Sequence, residues 1–386
     1  MKEKKHLLLF LTYGISLKKW KEMGILSREL MIYKKLQNEG YRISLISYGN
    51  KEDLNLSELD EFNVIPVYKY APYFNSKIVR LLQSFFLWFW LTKIIGPYDL
   101  MKTNQMGGSW VCYLFKLFDQ KPLVVRCGYE LLWNHFREAK GFIRKYVLSA
   151  FFYLIELISY SVADKIILSN QSSIDFIHRN FPIDPENKCH LIRNFIDTDH
   201  FTEITPLEKS QNRILFIGRL NLVKNLSQLF LALKSIKIGL DIIGDGELNQ
   251  QLKQEVEKEK IDVIFLGKIN NKDLPQYINQ YRYFCLPSLF ENAPKSLMEA
   301  MSCGRIVLGT DTWGINELIT PGKNGYLLPL GKGMGKSLND VLQIGTEELK
   351  LVGKNARLTA QTWFAIDSIV QSEIKLYESL AFKGQK

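Results

Sequence analysis

Short apolar strands alternate with amphipathic helices along most of this chain, and this alternation restricts the fold more than any other feature. An apolar run over residues 6–12 is followed by a helical pattern over Ile25–Glu39 and a strand over Arg42–Ser47. A second series starts with the strand Arg213–Ile217 and reaches its next strand at Leu240–Ile243. Because parallel strands need helical crossovers, the pattern predicts an α/β protein with parallel sheets.

A polar stretch without periodicity, residues 201–211, separates the two series. A chain of 386 residues with 46% hydrophobic residues is long and apolar enough for two domains of ordinary size. We therefore predict an N-terminal Rossmann-like domain over residues 1–200 and a C-terminal Rossmann-like domain over residues 212–364. The polar stretch would be the linker.

The second series contains the sequence PSLFENAPKSLMEAMSCG, with two glutamates eight positions apart. Glu291 lies on a loop after an apolar strand, and Glu299 lies inside the helical run Lys295–Met301. A turn, Asn292-Ala293-Pro294, joins the loop to the helix. The N-terminus of a helix after a parallel strand presents backbone N–H groups and the positive end of the helix dipole, which suit a phosphate or a polyol.

This stretch resembles the E-x7-E motif of the family-four retaining glycosyltransferases, which have the GT-B fold of two Rossmann-like domains facing a central cleft. The resemblance implies that Glu299 binds the ribose of a nucleotide-sugar donor and that Glu291 binds the transferred sugar. Asn292, Ala293 and Pro294 would line the diphosphate and the sugar through backbone groups. It also implies retention of configuration, no metal and no other cofactor, and a C-terminal helix (about 365–386) that returns to the first domain.

A second motif follows the first strand of the second series. The run GRLNLVKN begins at Gly218 and places Arg219 and Lys224 five residues apart. It resembles the family's G-R-L-x-x-x-K motif, in which the Arg and the Lys hold the donor diphosphate. Fixed cations can stabilise the charge that grows on a leaving phosphate. Lys268 stands after another strand, where the family reads the base with main-chain atoms.

The first series resembles the family more weakly. Its loop Arg126-Cys127-Gly128-Tyr129-Glu130 lacks the histidine that many members carry there, so the sequence does not reveal the acceptor-side catalytic residue. We interpret His135, a few residues on, as structural. Asp197-Thr198-Asp199 spells a D-x-D metal motif, but it lies where the family leaves its first domain, so we interpret it as a turn.

Net charge and cysteine content indicate which partners and which compartment suit the protein. The net charge of +10 suits phosphorylated substrates, an anionic membrane or nucleic acid. Five cysteines without a C-x-x-C pair favour a reducing compartment and buried thiols. The N-terminal apolar run is short and lacks a cleavage site, so we interpret it as a strand and expect a cytoplasmic location. The run GKGMGKS within 330–337 has one residue too few for a phosphate-binding P-loop, and we expect a solvated basic loop.

Two longer apolar stretches, Leu81–Ile95 and Tyr146–Val162, come closest to a membrane span. We interpret both as core helices, the first as part of one helix Ile78–Ile95. The alternative for this first helix, which has Arg80 and Lys93 near its ends, is that it lies on the anionic surface of a membrane, at the inner face of that membrane.

The favoured function is a retaining hexosyltransferase that moves a sugar from a nucleotide sugar to a glycan or a lipid-linked acceptor, in cell-surface polysaccharide or glycolipid synthesis. The alternatives are a nucleotide-sugar epimerase of the same fold and an inactive donor-binding subunit. We do not expect a nucleic-acid partner, because no basic run is interleaved with stacking aromatics in a known module. The sequence does not determine the sugar, the base, the acceptor, the linkage or the oligomeric state.

Overall fold

The computed structural model describes residues 4–128, 130–138, 141–204 and 210–380. Within them the chain divides into two compact units. Unit 1 runs up to Ile192 and resumes at Val370, and unit 2 is Arg193–Ile369. These divisions lie at different residues from the predicted domain ends at 200, 212 and 364. The stretch predicted to be the linker lies inside unit 2, and its residues 205–209 are outside the described residues.

Each unit is built on one sheet, and the strands paired in it among the described residues run parallel to each other. Among the described residues, the sheet of unit 1 has the strand order β3-β2-β1-β4-β5-β6-β7, and the sheet of unit 2 has the order β10-β9-β8-β11-β12-β13. The first seven strands are β1 Lys5–Phe10, β2 Tyr41–Ser47, β3 Asn63–Pro66, β4 Leu100–Thr103, β5 Leu123–Cys127, β6 Lys165–Leu168 and β7 Cys189–Leu191. The other six are β8 Ser210–Ile217, β9 Gly239–Ile243, β10 Val263–Gly267, β11 Tyr281–Leu286, β12 Ile306–Thr310 and β13 Tyr326–Leu328. The predicted α/β class, with one parallel sheet in each of two units, is confirmed.

Helices connect the strands in both units. Those of unit 1 are α1 Leu17–Glu22, α2 Leu26–Asn38, α3 Val67–Tyr70, α4 Lys77–Ser84, α5 Trp88–Ile95, α6 Cys112–Asp119, α7 Leu131–Glu138, α8 Phe142–Val162, α9 Gln171–Asn180 and α10 Pro185–Lys188. Those that follow are α11 Leu226–Leu233, α12 Asn249–Glu259, α13 Leu274–Ile278, α14 Lys295–Ser302, α15 Met334–Leu342, α16 Thr346–Trp363 and α17 Ile366–Glu378.

Two helix predictions need correction. The single helix predicted over Ile78–Ile95 is two helices, α4 and α5, bent by 55° at residues 85–87. The loop predicted over 330–337 is a loop only up to Gly333, because α15 begins at Met334 and buries that methionine against the core. No proline stands at residues 85–87 or at residues 333–334, so the sequence did not indicate either helix boundary.

Residues from Val370 onward belong to unit 1, and a buried ion pair holds them there. Glu373 on α17 accepts hydrogen bonds from Lys102 on β4 at 2.7 and 2.6 Å, and Tyr377 donates to it at 2.6 Å. Burial alone would raise the pKa of Glu373, but the charges of Lys102 and Arg126 outweigh burial and hold the pKa below its usual value. The last described helix is thereby fixed to the first sheet.

All five cysteines are free and buried, as predicted. Burial raises the pKa of the Cys285 and Cys303 thiols to about 12, so both are neutral thiols near pH 7. These cysteines pack as small apolar side chains in the core.

Candidate donor site in unit 2

Four loops at the carboxyl ends of β8, β9, β10 and β11 meet at one edge of the second sheet. In parallel sheets ligands bind at this edge. Backbone hydrogen bonds join each loop to its neighbour. The N–H of Gly218 donates to the carbonyl oxygen of Ile243 at 3.0 Å, and the N–H of Gly244 donates to that of Gly267 at 2.8 Å. Leu289 donates to Val223 at 2.8 Å. The strand order therefore brings together residues as far apart in sequence as Val223 and Leu289.

Two glycines allow these loops to approach so closely. A Cβ atom on Gly244, whose φ is +139°, would lie 1.9 Å from the carbonyl oxygen of Gly218. A Cβ atom on Gly314, whose φ is +77°, would lie 1.8 Å from the carbonyl oxygen of Glu291. Glycine is therefore required at both positions, for backbone conformation and for space. The close approach of Gly314 fixes the loop that carries Glu291. The N–H of Glu291 also donates to the carbonyl oxygen of Trp313 at 3.0 Å.

The cation and the acid of the two predicted motifs form an ion pair. The ammonium of Lys224 donates to Oε1 of Glu291, and the hydroxyl of Ser288 donates to the same oxygen at 2.7 Å. The side chains of Lys224 and Glu291 are 17% and 13% exposed, which is little for charged groups. Each neutralises the other at a site that is partly shielded from water.

Arg219 is placed differently. It lies on the loop after β8, five residues before Lys224, and its side chain is exposed. Its guanidinium forms no hydrogen bond or ion pair with the residues described in the structure. A guanidinium with this freedom can form a bidentate contact with a phosphate group.

Glu299 is buried in the second turn of α14, where Asn271 donates to its Oε1 at 3.3 Å. Asn271 follows β10, so this contact joins the α14 helix to a neighbouring loop.

Lys268 is exposed at the start of that loop and lies 3.5 Å from a carboxylate oxygen of Asp245. Hydrogen bonds from Asn249 and from the Gly246 N–H, together with the Lys268 charge, hold the pKa of Asp245 below its ordinary value.

The turn Asn292-Ala293-Pro294 leads directly into α14, whose first residue is Lys295. The positive end of the helix dipole is therefore next to the loop that carries Glu291. Sequence reasoning gave no role to Ser288, Asn271 or Asp245. Ser288 belongs to the quoted motif, but Asn271 and Asp245 carried no recognisable signal.

The D-x-D sequence forms a turn, as predicted. Asp197 accepts hydrogen bonds from the N–H groups of Asp199 and His200 at 3.3 and 3.0 Å. The described residues contain no group of three His, Cys, Asp or Glu side chains that would hold a metal ion. In unit 1, His135 packs its ring on Phe152 at 5.0 Å between centroids, while Tyr129 of the predicted loop lies outside the described residues.

Comparison with known proteins places this site in a family. Residues 197–359 match the family described as glycosyl transferases group 1. The match lies within the second unit, which is therefore similar to the group 1 glycosyl transferases. The four loops above all lie within the matched residues of the glycosyltransferase domain, and the expected relation to glycosyltransferases is confirmed.

One curated relative comes from Campylobacter jejuni, an N-acetylgalactosamine-N,N'-diacetylbacillosaminyl-diphospho-undecaprenol 4-alpha-N-acetylgalactosaminyltransferase. It is 27% identical over 232 residues, which cover 58% of this chain and 62% of the relative. This chain thus matches less than two thirds of the relative's length.

Two solved structures share the fold over nearly the whole chain. Sucrose-phosphate synthase from Thermosynechococcus elongatus has a TM-score of 0.77 at 17% identity, covering 97% of this chain and 98% of that one. Anabaena Alr3699/HepE in complex with UDP has a TM-score of 0.74 at 19% identity, covering 97% and 100%. At these identities the likeness establishes the GT-B fold.

Proposed function

We propose that this protein is a retaining glycosyltransferase that moves a sugar from a nucleotide-sugar donor to a glycan or lipid-linked acceptor, in cell-surface polysaccharide or glycolipid synthesis. The observation that carries the proposal is the ion pair of Lys224 with Glu291, which joins the two motif loops at the carboxyl edge of the sheet. An epimerase or an inactive donor-binding subunit of the same fold is the alternative.

Lys224 and Glu291 are placed to separate when the donor arrives. In the absence of donor, Glu291 neutralises the ammonium of Lys224. The donor diphosphate would take over Lys224, with Arg219 as a second cation, and Glu291 would then accept hydrogen bonds from hydroxyls of the sugar. The two cations would stabilise the leaving diphosphate as the glycosidic bond to phosphate breaks. No metal is needed for this charge stabilisation.

Glu299 would bind the ribose. A buried carboxylate on a helix can accept bonds from two adjacent hydroxyls, and Asn271 keeps its Oε1 oriented. The base would lie against the loop that begins at Lys268. That one neighbouring fold was solved with UDP, and another time with UDP-glucose, supports a nucleotide-sugar donor here. The printed name of the Campylobacter relative includes diphospho-undecaprenol, which supports a lipid-linked acceptor.

A pocket in unit 1 is our candidate for the acceptor sugar. It has a volume of about 360 Å³ and lies beyond the carboxyl ends of β1, β2 and β3. Its lining includes Ser16, Lys18, Tyr48, Asn50, Tyr68 and Tyr73. The rings of Tyr68 and Tyr73 meet edge to face at 5.0 Å, and such apolar faces beside hydroxyl and amide groups suit a sugar ring. We further propose that the enzyme works in the cytoplasm, at the inner face of a membrane.

The test is to incubate the purified protein with a panel of nucleotide sugars and with lipid extracts as acceptors. We expect release of nucleoside diphosphate coupled to transfer of the sugar, and loss of both in Lys224→Ala. The matched control is Lys234→Ala, since Lys234 is an exposed lysine of unit 2 that pairs with Glu259 at the surface. Epimerisation of the donor without transfer, or donor binding without any reaction, would overturn the proposal.

A further inference from the structure

A layer of four helices on one face of the first sheet leaves large apolar side chains exposed. The connections β3 to β4, β4 to β5 and β5 to β6 all step in one direction along the sheet. Right-handed crossovers therefore place α4, α5, α6 and α8 on the same face. Side chains join them: Trp88 packs on Phe118 at 4.5 Å, and Tyr113 shares a hydrogen bond of 3.0 Å with Ser159.

The outer side of α8 contradicts its interpretation as a core helix. Only 22% of Lys145–Val162 is buried, and this segment is the one single helix among the described residues that is long and apolar enough to cross a membrane. Its exposed apolar side chains are Tyr146, Val147, Leu148, Phe151, Leu154 and Ile158. Val147, Phe151, Leu154 and Ile158 recur at intervals of three and four residues and so form a stripe.

The first apolar stretch is exposed as well. Leu82, Phe86 and Phe89 are 60%, 52% and 58% exposed, and Leu117 and Phe118 of the adjoining helix α6 are 65% and 51% exposed. We call the exposed apolar side chains of α4, α5, α6 and α8 the apolar face. Surfaces this large and apolar are rare on proteins that meet only water.

The fold excludes a membrane-spanning orientation for α8. Its two ends lead to β5 and β6, which are paired from Val124–Lys165 to Cys127–Leu168. Its inner side buries Ser149, Glu156 and Tyr160. Crossing a membrane would separate the two strands and move a buried carboxyl into lipid, so the helix can only lie flat on a surface.

The charges around the apolar face favour an anionic surface. Residues 77–95 contain Lys77, Arg80 and Lys93 and no acid at all. On α8 the one carboxyl is Glu156, which is fully buried, while Lys145 lies at the N-terminal end with its ammonium 4.2 Å from the ring centroid of Phe136. Lysine beside aromatic rings, at the edge of an apolar stripe, suits the boundary between headgroups and acyl chains.

We propose that the apolar face docks the protein on an anionic lipid bilayer, with α8 lying flat and its stripe inserted at the headgroup boundary. α4, α5 and α6 would insert beside it, so that the contact is made by the whole helical layer. The proposal deepens the proposed function, because a lipid-linked acceptor is presented at such a surface. Docking itself requires no catalysis, so it is tested without donor or acceptor.

The test is flotation of the full chain with phosphatidylcholine vesicles, with and without phosphatidylglycerol. We expect flotation that depends on phosphatidylglycerol and weakens at high salt. The double variant Phe151→Glu, Leu154→Glu should reduce the bound fraction about tenfold or more. The matched control carries Leu231→Glu and Leu351→Glu, at residues of unit 2 that are 56% and 58% exposed, and should float like the unmodified protein.

A melting temperature measured for each variant separates loss of docking from loss of folding. If the glutamate pair unfolds the protein, the milder pair Val147→Ser, Leu154→Ser replaces it. Flotation of the folded α8 variant at the unmodified level would overturn the proposal, as would an unmodified protein that ignores anionic vesicles. A dimer that Phe151→Glu abolishes, without vesicle binding, would assign the face to a second copy instead. Absence of sugar transfer in a protein that still floats would overturn only the proposed function.

Discussion

The two units place their unusual residues on different kinds of surface. In unit 2 they lie on tight loops at the carboxyl edge of the sheet, where Glu291 accepts hydrogen bonds from Lys224 of another loop and from Ser288 of its own loop. In unit 1 they lie on the outer side of a helical layer, where side chains such as Leu82 and Leu154 are left in water. One chain thus carries a polar site, which we propose binds a charged donor, and an apolar face, which we propose docks on a lipid surface. The difference shows that the carboxyl edge of the sheet and the outer side of the helical layer can carry different kinds of binding surface.

The largest expected effect concerns what holds unit 1 together. Glu373→Ala would leave Lys102 buried without its partner, because the lysine is 1% exposed, and should lower the free energy of unfolding by about 3–5 kcal/mol. Urea unfolding measures this change. Glu347→Ala in unit 2 removes an exposed ion pair with Lys350 and serves as the control, with a change within about 0.5 kcal/mol. Equal stability of the two variants would show that the buried pair does not fix α17.

The next effect concerns charge in unit 2. Lys224→Ala should lower kcat about 10²–10³-fold, because the transition state loses a fixed cation at the leaving diphosphate. Steady-state kinetics with saturating donor measure it. The same substitution at Lys234, a surface lysine paired with Glu259, should leave kcat within about threefold. A change confined to the donor KM would instead mean that Lys224 only binds the donor.

The two motif glutamates should differ in kind. Glu299→Ala should raise the donor KM about tenfold with little change in kcat, since the ribose is remote from the reacting bond. Glu291→Ala should lower kcat about 10–100-fold, since contacts to the reacting sugar strengthen in the transition state. Initial rates over a range of donor concentrations separate the two. The division fails if both variants weaken donor binding equally and leave turnover unchanged.

A pH effect should come from unit 1. Glu156 is buried and accepts hydrogen bonds from the N–H groups of Leu131 and Leu132, and burial raises its pKa to about 8. The folded state therefore keeps a proton that the unfolded chain has lost, and stability falls as pH rises from the unfolded pKa near 4.5 towards 8. Between pH 6 and 7.5 this amounts to about 2 kcal/mol.

Glu156→Gln keeps an oxygen for the two N–H groups and cannot ionise, so its unfolding free energy should vary less over this pH range. Burial raises the pKa of Glu130 in the same direction, and a residual slope is therefore expected. Chemical unfolding at several pH values supplies the measurement. A variant with the full slope of the unmodified protein would place the titrating group elsewhere.

The smallest expected effect is that of a chelator. Excess EDTA should leave the rate of transfer within about twofold, because Arg219 and Lys224 supply the positive charge that a metal would otherwise supply. A reaction that stops with EDTA, resumes with Mg²⁺ and is lost in Asp197→Ala would reverse the interpretation of that aspartate as a turn residue. Such a result would also mean that a metal ion, and not Arg219 and Lys224 alone, supplies the positive charge at the site in unit 2.

Local sequence patterns were enough to predict the parallel sheets and the two motif loops. Strand and helix periodicities are properties of short segments, and the spacing of Glu291 and Glu299 is read directly from the chain. The predicted and observed strands agree within a few residues, as for the strand predicted over Leu240–Ile243 and observed over Gly239–Ile243. The turn at Asp197 was also predictable, because its hydrogen bonds reach only two and three residues along the chain.

Only the tertiary structure decided which apolar residues meet water. The stretches Leu81–Ile95 and Tyr146–Val162 are apolar enough for a core, and no local signal records that the outer side of their layer is uncovered. In the same way the sequence did not pair Lys224 with Glu291, or Asn271 with Glu299, because these contacts depend on strand order. Composition specifies what a segment can bury, whereas the packing of neighbouring elements determines what it does bury.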